Sequence, residues 1–488
     1  MTGKPRRVLI VAFDALRPDM VTPALMPNLT AFAAEGVHFT HSRATFPTET
    51  RVNQAALVTG CYPARHGIVG NKFLDPIAAP DKLFATGDET QIAELDRRLK
   101  GKLVDVPVLG EILATQSLQL AVISAGTPGG TRMLHHKAEQ LSGFRLALHR
   151  PDASVPQERI TQVLDRFGEI PPHEIPTLSW LTYATNVYLH YIEPEIEPAV
   201  CILWYPEPDN SYHFRGLGTE ANLTALRHVD AEFGRIVRWR DQAGLNDELQ
   251  IITMSDHGQL TVAAEAIGVG NALREAGFTV GDSVSDGADA ALALANAGGI
   301  YVRDSDPGLI QAIVQWLQLQ PWRGPLFTRE GLYGTLQHRD VGIDHRRAPD
   351  IALALRNDDA VNVYGIAGTC LHDAARYPVG GGLHGGLHRF ELSNWLAMSG
   401  GAFRSGYESS LPAGVIDILP SVLTLLDLPI PSHAQGRVLH EALVSRTATP
   451  LPPVTEQTFS AAAVGDYRAY LKVTRVGETP YLERGWVD

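Results

Sequence analysis

The sequence predicts an α/β protein built on a mainly parallel central sheet, with a small α+β subdomain inserted into it. Three observations carry this reading. Short runs rich in Val, Ile and Leu alternate with helix-period segments, the pattern of parallel strands buried on both faces and joined by helices. Several of these runs lead directly into acidic residues. One stretch, residues 260–382, has a different texture from the sequence on either side.

Residues 8–13, 120–124, 200–204 and 250–254 are the apolar runs and read as strands. Residues 219–243 read as a helix. Leu223, Leu226, Val229, Phe233, Ile236 and Val237 fall on one face, and Gly244 ends it. Residues 415–426 read as another, with Pro420 marking a bend or a start. Within 260–382, residues 299–303 and 351–355 read as strands. Asp306 caps a helix that has Pro307 in its first turn and carries Ile310, Ile313 and Trp316. The chain therefore divides into a core, 1–259 with 383–488, and an inserted cap, 260–382. Residues 447–454, rich in Pro and Thr, read as a surface linker into a final strand or hairpin.

Composition narrows the function. A length of 488 residues calls for a large core with an insertion, or for two domains. With 54 acidic against 41 basic residues the chain lacks the footprint of a nucleic-acid binder, so no nucleic-acid polymer is expected as a partner. A small anion can still bind where metal ions supply positive charge. Cys61, Cys201 and Cys370 are odd in number and widely spaced, so they read as small hydrophobes rather than as a disulfide or metal framework. Lys4, Arg6 and Arg7 precede an apolar run, but Asp14 stops that run early, and it reads as a first strand rather than as a signal peptide. No stretch has the length of a membrane span. The expectation is a cytoplasmic protein with no membrane partner.

Three strands end in candidate ligands. The first is followed by Asp14, the third by YPEPDNSYH with Asp209 and His213, and the fourth by SDHGQ with Asp256 and His257. Ligands of open α/β sheets bind beyond the carboxyl ends of the strands, which would bring these residues to one edge. Asp at a strand end is costly to bury unless it is paired or bound to a metal. A mixed Asp and His set suits Zn²⁺, with Mn²⁺ the alternative. The second element is FPTETRVNQAALVTG, residues 46–60. Thr50 stands where a helix begins, either as a simple cap or as a nucleophile beside an anion held by the helix N-terminus. Asn53, three residues on, shares its face and could donate to a phosphoryl oxygen.

These segments resemble the type I phosphodiesterase/nucleotide pyrophosphatase family of the alkaline phosphatase superfamily, which includes phosphonoacetate hydrolases. VLIVAFDALRPDM, MPNLTAFAAEGVHFTHSRATFPTET, LVTGCYPARHGIVGNKFLD, PDNSYH, ITMSDHG, GLHG and DILPSVLTLLDLP follow one another in the family's order and spacing. The resemblance implies an alkaline phosphatase-like three-layer core. It also implies two metal ions, with Asp14, Thr50, Asp256 and His257 on one and Asp209, His213 and His384 on the other. His384, followed by Gly, fits the pattern better than His388. Thr50 would be the nucleophile that forms a phosphothreonine, and Asn53 would contact the phosphoryl group. His66 looks structural by the same comparison.

The substrate positions depart from the family. Relatives acting on nucleotides carry an aromatic residue after the nucleophile, where this chain has Arg51. Glu49 stands where many have Lys, and Gln54 where His is usual. Arg51 would instead pair with a carboxylate or second phosphate of the substrate, or with Glu49, or point to solvent. Tyr205 would border the site. Thr131, Arg132, His135, His136 and Lys137 would either line the pocket, as lysines of this region do in phosphonoacetate hydrolases, or form a solvated helix start. His345, Arg346 and Arg347 read as a solvated loop. The resulting expectation is a two-metal hydrolase of small phosphate esters. The alternatives are a phosphonoacetate hydrolase-like C–P hydrolase, or a metal-binding protein without catalysis. A sulfatase is excluded by Thr50-Arg51-Val52-Asn53, which lacks the Cys or Ser matured to an aldehyde.

Overall fold

The computed structural model describes residues 6–285, 287–446, 451–463 and 465–488; Lys4 and residues 447–450 of the expected linker lie outside them. Its largest sheet has eight strands. Their order is Tyr407–Ser409, Val37–Phe39, Leu396–Ser399, Leu249–Met254, Arg7–Phe13, Val200–Tyr205, Leu120–Ser124 and Phe144–Ala147. From Leu249–Met254 to Phe144–Ala147 every pairing is parallel. Leu396–Ser399 adds an antiparallel strand. The four strands expected for the core are present, two of them at the centre. Side chains alternate between faces, so Val8, Ile10 and Ala12 enter one apolar layer and Leu9, Val11 and Phe13 the other. Helices Thr50–Thr59 and Ile418–Leu425 cover the first face; Pro27–Glu35 and Glu220–Gln242 cover the second. This is a three-layer α/β core.

Register brings the strand ends together. Phe13 pairs with Tyr205, and Ala12 with Met254. Beyond the sheet the backbone stays linked: Asp14 N–H donates to Tyr205 C=O at 3.0 Å, and Asp209 N–H to Asp14 C=O at 3.1 Å. Local signals set the flanking helices. Thr219 caps Glu220–Gln242 by accepting from Asn222 N–H, and Gly244 follows its end with φ +67°.

Segment 260–382 holds a six-stranded sheet, ordered Val280–Gly281, Ala290–Leu294, Ala297–Val302, Ile351–Leu355, Arg323–Thr328 and Leu336–Gln337. Helix Pro307–Gln318 packs with it, capped by Asp306, which accepts from Leu309 N–H at 2.8 Å. At the two ends of this stretch, Leu260–Val262 and Gly382–Leu383 are antiparallel neighbours. The last residues form a three-stranded antiparallel sheet, Val454–Ala462, Arg468–Val476 and Thr479–Val487. Its Tyr467, Leu471 and Leu482 share an apolar cluster with Leu326, Phe327 and Leu353 of the inserted segment. This sheet thus buttresses the insertion.

The run His345–Arg347 is not a solvated loop. Arg347 is fully buried, its Nε donating to Asp75 at 2.6 Å and its Nη1 to the carbonyls of Gly67 and Leu103. His345 Nε2 lies 3.0 Å from Asp105, and Arg346 also pairs with Asp105. A guanidinium with five donors can satisfy two carbonyls and a carboxylate at once, so this run fastens the insertion to the core.

Candidate metal centre and active site

Two groups of acidic and imidazole side chains meet beyond the carboxyl ends of the central strands. Asp14, Asp256 and His257 form one, and Asp209, His213 and His384 the other. Within each, the three potential ligand atoms lie within 4.8 Å of one another. These are the six side chains, apart from Thr50, singled out in the sequence. The groups adjoin: the His257 and His384 rings stack at 3.8 Å between centroids, and His384 Nε2 is 3.5 Å from Asp209. His384 reaches the site because the insertion rejoins the core beside Leu260. His388 does not join it. His388 caps helix Arg389–Leu392 and faces Asp359 at 3.1 Å.

Each imidazole is oriented through its Nδ1. That nitrogen lies 3.0 Å from Gly258 C=O in His257, 2.7 Å from Gly382 C=O in His213 and 2.8 Å from Thr48 C=O in His384. A carbonyl only accepts, so Nδ1 carries the proton and Nε2 presents a lone pair to the cluster, the tautomer a metal ligand needs. The carboxylates are split in the same way. Asp14 Oδ2 accepts from the Trp204 indole N–H at 2.9 Å, and Asp256 Oδ1 from the backbone N–H of Ala15 and His257. Asp14 Oδ1, Asp256 Oδ2 and Asp209 Oδ1 are buried and have no hydrogen-bond partner among the described residues. Buried oxygens aimed at imidazole lone pairs fit a divalent cation.

Electrostatics agree. Burial, with Asp256 and Asp209 close by, pushes Asp14 well above the usual carboxylate range. Burial raises Asp256 to about 7, and the charge of Asp209 adds to this. Asp209 is low despite its burial, because His213 and His384 favour its charge. Burial lowers His257 to about 3, and burial beside His257 takes His384 well below its ordinary value. Acidic groups that repel one another beside neutral imidazoles make a site that divalent cations relieve.

Thr50 opens helix Thr50–Thr59, and its Oγ1 is 3.2 Å from His257 Nε2. The hydroxyl therefore faces the ligands instead of capping the helix. Arg51 is half-buried in the wall of a cavity of about 780 Å³ that also includes His384. It forms no ion pair with Glu49 among the described residues. Glu49 accepts from Asn71 N–H instead, and burial raises it to about 7.

Three expectations are corrected. Asn53 does not face the cavity. Its Oδ1 accepts from Thr45 N–H and Oγ1, and its Nδ2 donates to Glu49 C=O at 3.1 Å. A side chain one turn into the helix is consumed by the loop that enters it. Asn71 lines the cavity instead: its Oδ1 accepts from Arg51 N–H at 3.2 Å, which leaves the amide nitrogen without a protein partner among the described residues. The signal was present in the segment GIVGN, which ends at Asn71. Tyr205 is buried on the opposite face of the sheet, its hydroxyl 2.6 Å from that of Thr185. Strand alternation turns Trp204, not Tyr205, toward Asp14. Thr131, Arg132, His135, His136 and Lys137 do not line the cavity and do not form a solvated helix start. Thr131 and both histidines are buried, Arg132 pairs with Glu89 at 2.7 Å and Lys137 with Glu111 at 2.5 Å. His66 is fully buried and accepts from Ile68 N–H, in a structural position.

Among the described residues no helix is long and apolar enough to cross a membrane. The three cysteines are buried and unbridged.

Comparison with known proteins places this geometry in a family. The model of the type I phosphodiesterase / nucleotide pyrophosphatase family matches residues 8–373. Human bis(5'-adenosyl)-triphosphatase ENPP4 is 26% identical over 255 residues, 52% of this chain and 48% of the relative. Mouse ectonucleotide pyrophosphatase/phosphodiesterase family member 1 is 26% identical over 254 residues, 51% of this chain and 24% of the relative. The chain thus spans about half the length of the first curated relatives it matches, and less of others. Among solved structures, inactive murine ectonucleotide pyrophosphatase / phosphodiesterase 5 in complex with AMP is similar in fold. Its TM-score is 0.60 at 18% identity, over 87% of this chain and 96% of that one. On the family match, this chain belongs to the type I phosphodiesterase / nucleotide pyrophosphatase family.

Proposed function

We propose that the chain hydrolyses small phosphodiesters or related phosphoryl esters in two steps, with Thr50 as nucleophile. One observation carries the reading: two adjoining Asp/His groups have unpartnered ligand oxygens, the Thr50 hydroxyl lies 3.2 Å from His257 of one group, and His384 of the other lines a cavity. Asp14, Asp256, His257 and Thr50 would hold one divalent ion, and Asp209, His213 and His384 a second; the mixed Asp and His donor set suits Zn²⁺, with Mn²⁺ the alternative. When bound, such ions act as Lewis acids, lowering the pKa of a hydroxyl and offsetting phosphoryl charge.

The protein's own groups supply the rest. Thr50 Oγ1 gives up its proton to solvent and attacks phosphorus as the ester oxygen opposite departs and takes a proton from water, which leaves a phosphoryl ester of Thr50 that keeps the substrate's other arm. Water then cleaves that ester and restores the hydroxyl. Asn71, whose Oδ1 is fixed by the Arg51 N–H, would donate its amide hydrogens to a phosphoryl oxygen. The buried floor holds the nucleophile in place, so rate enhancement comes from positioning and preorganised charge. Lys137, held by Glu111 outside the cavity wall, does not offer the substrate contact that the phosphonoacetate hydrolase alternative would use.

The test is elemental analysis of zinc-loaded protein combined with an assay on an aryl phosphodiester. About two ions per chain and zinc-dependent turnover are expected; His213→Ala should lose one ion and keep the other. Saturation at one ion, or two ions with no turnover of diesters, monoesters or phosphonates, would remove the reading.

A further inference from the structure

The cavity above the two Asp/His groups has an uneven charge balance. Its acidic wall residues are committed. Glu49 accepts from Asn71 N–H, Asp88 caps a helix by accepting from Thr90 and Gln91 N–H, and Glu89 pairs with Arg132. Arg150 is paired with Asp152 at 2.6 Å. Arg51 and Arg376, also in the wall, have no carboxylate partner among the described residues. Arg51 Nε is buried and without any hydrogen-bond partner. A guanidinium nitrogen withdrawn from water and left unpaired is costly unless a ligand fills it.

The two arginines reach the wall of one cavity from different parts of the chain. Arg51 follows Thr50 in the chain and lines the cavity. Arg376 comes from the inserted segment and lies over the Tyr377 ring at 4.5 Å, while Tyr377 stacks on His213 at 4.4 Å. Both arginines and Tyr377 line the same cavity. This stack holds Arg376 beside the Asp209 group, as Arg51 is held beside Thr50. Lys72 adds a third unpaired cation at the exposed rim.

We propose that Arg51 and Arg376 form a subsite for a second oxyanion, a carboxylate or a phosphate, on the part of the substrate that does not react. The substrate class is then a phosphoryl ester with an additional anionic group on a short arm. Planar, multiply donating guanidinium groups suit such oxyanions, and each charge-assisted pair favours the charged ligand over a neutral one of the same size. The subsite rests on the hydrolytic reading for its meaning, but its binding can be measured without turnover.

The test is calorimetric binding of three phosphonates to zinc-loaded protein: ethylphosphonate, 3-phosphonopropionate and 1,2-ethylenediphosphonate. The wild type should bind 3-phosphonopropionate about tenfold more tightly than ethylphosphonate or better. A similar gain for the bisphosphonate marks a general oxyanion site, and no gain marks a carboxylate site; either supports the subsite. Arg51→Gln and Arg376→Gln should each lose most of the carboxylate advantage, with thermal unfolding reporting that the fold is kept, and Arg51→Lys should retain part of it. Equal binding of 3-phosphonopropionate and ethylphosphonate by the wild type would overturn the subsite. So would an advantage that survives in the double variant, or an equal loss of both ligands. A diester assay on the same preparation separates the two readings. Binding preference without turnover overturns the hydrolytic function alone, and turnover without preference overturns the subsite alone.

Discussion

Thr50 Oγ1 stands 3.2 Å from Nε2 of His257, the same nitrogen that faces Asp256 at 3.2 Å and Asp14 at 3.7 Å. The hydroxyl therefore belongs to the cluster of ligand atoms, although a threonine at a helix start is most simply a cap. Glu49 occupies the cap position with extended backbone and no side-chain bond into the helix, and the Arg51 N–H of the first turn is taken by Asn71 Oδ1.

Asn71 and Asn53 separate function from stability. Asn71→Ala should lower kcat/KM by about 10²-fold or more, the scale expected for a lost oxyanion donor, with little change in thermal unfolding. Asn53→Ala should do the opposite. It strips partners from Thr45 and Glu49 and should cost roughly 1–3 kcal/mol of stability. Denaturant unfolding and steady-state kinetics on both variants decide this. A catalytic loss confined to Asn53→Ala would return the phosphoryl contact to that residue.

Trp204 fixes Asp14. Its indole N–H occupies Asp14 Oδ2, so only Oδ1 is left to face the cluster. Trp204→Phe keeps an aromatic ring, though a smaller one, and removes the donor. Zinc affinity at the Asp14 position should fall by about 10–100-fold, the usual range for an outer-shell partner, while the Asp209 position is unchanged. Metal competition with a chromophoric chelator resolves the two sites. Equal weakening of both would mean that the indole acts through packing.

Metal uptake should release protons from carboxylates rather than from imidazoles. Without metal, Asp256 sits near 7 and Asp14 is also raised, while His257 and His384 are already neutral. Raised acids hold protons below their pKa, so apparent affinity should fall as pH drops through about 7. Calorimetry in buffers of different ionisation enthalpy reads the protons directly. Affinity that stays flat between pH 8 and 6 would contradict the arrangement of charge described for the apo site.

Much of this was legible in the sequence. Asp14, Asp209 and Asp256 follow strands whose apolar runs are unmistakable, and parallel register places such ends together. His384 was legible only through the family pattern, because what brings it in is the antiparallel return of the insertion at Leu260–Leu383. Side-chain direction was not legible. Helical spacing put Asn53 beside Thr50, yet the entering loop takes up its amide. Tyr205 was placed at the site by its neighbourhood to Asp209, when alternation assigns that role to Trp204. Arg347 looked solvated because a charged run carries no sign of its distant partners, Asp75 and the carbonyls of Gly67 and Leu103.

The central claim is that Thr50 is the attacking group. It is tested most directly by acid-quenching the zinc-loaded enzyme during turnover of an aryl phosphodiester and mapping the peptide that spans residues 46–60 by mass spectrometry. The account predicts a phosphoryl ester on Thr50 that accumulates before steady state. It should be absent from Thr50→Ala, which should keep both metals and lose turnover, and Thr50→Ser should retain partial activity. Turnover at the wild-type kcat by Thr50→Ala, with no adduct on the wild-type peptide, would contradict it.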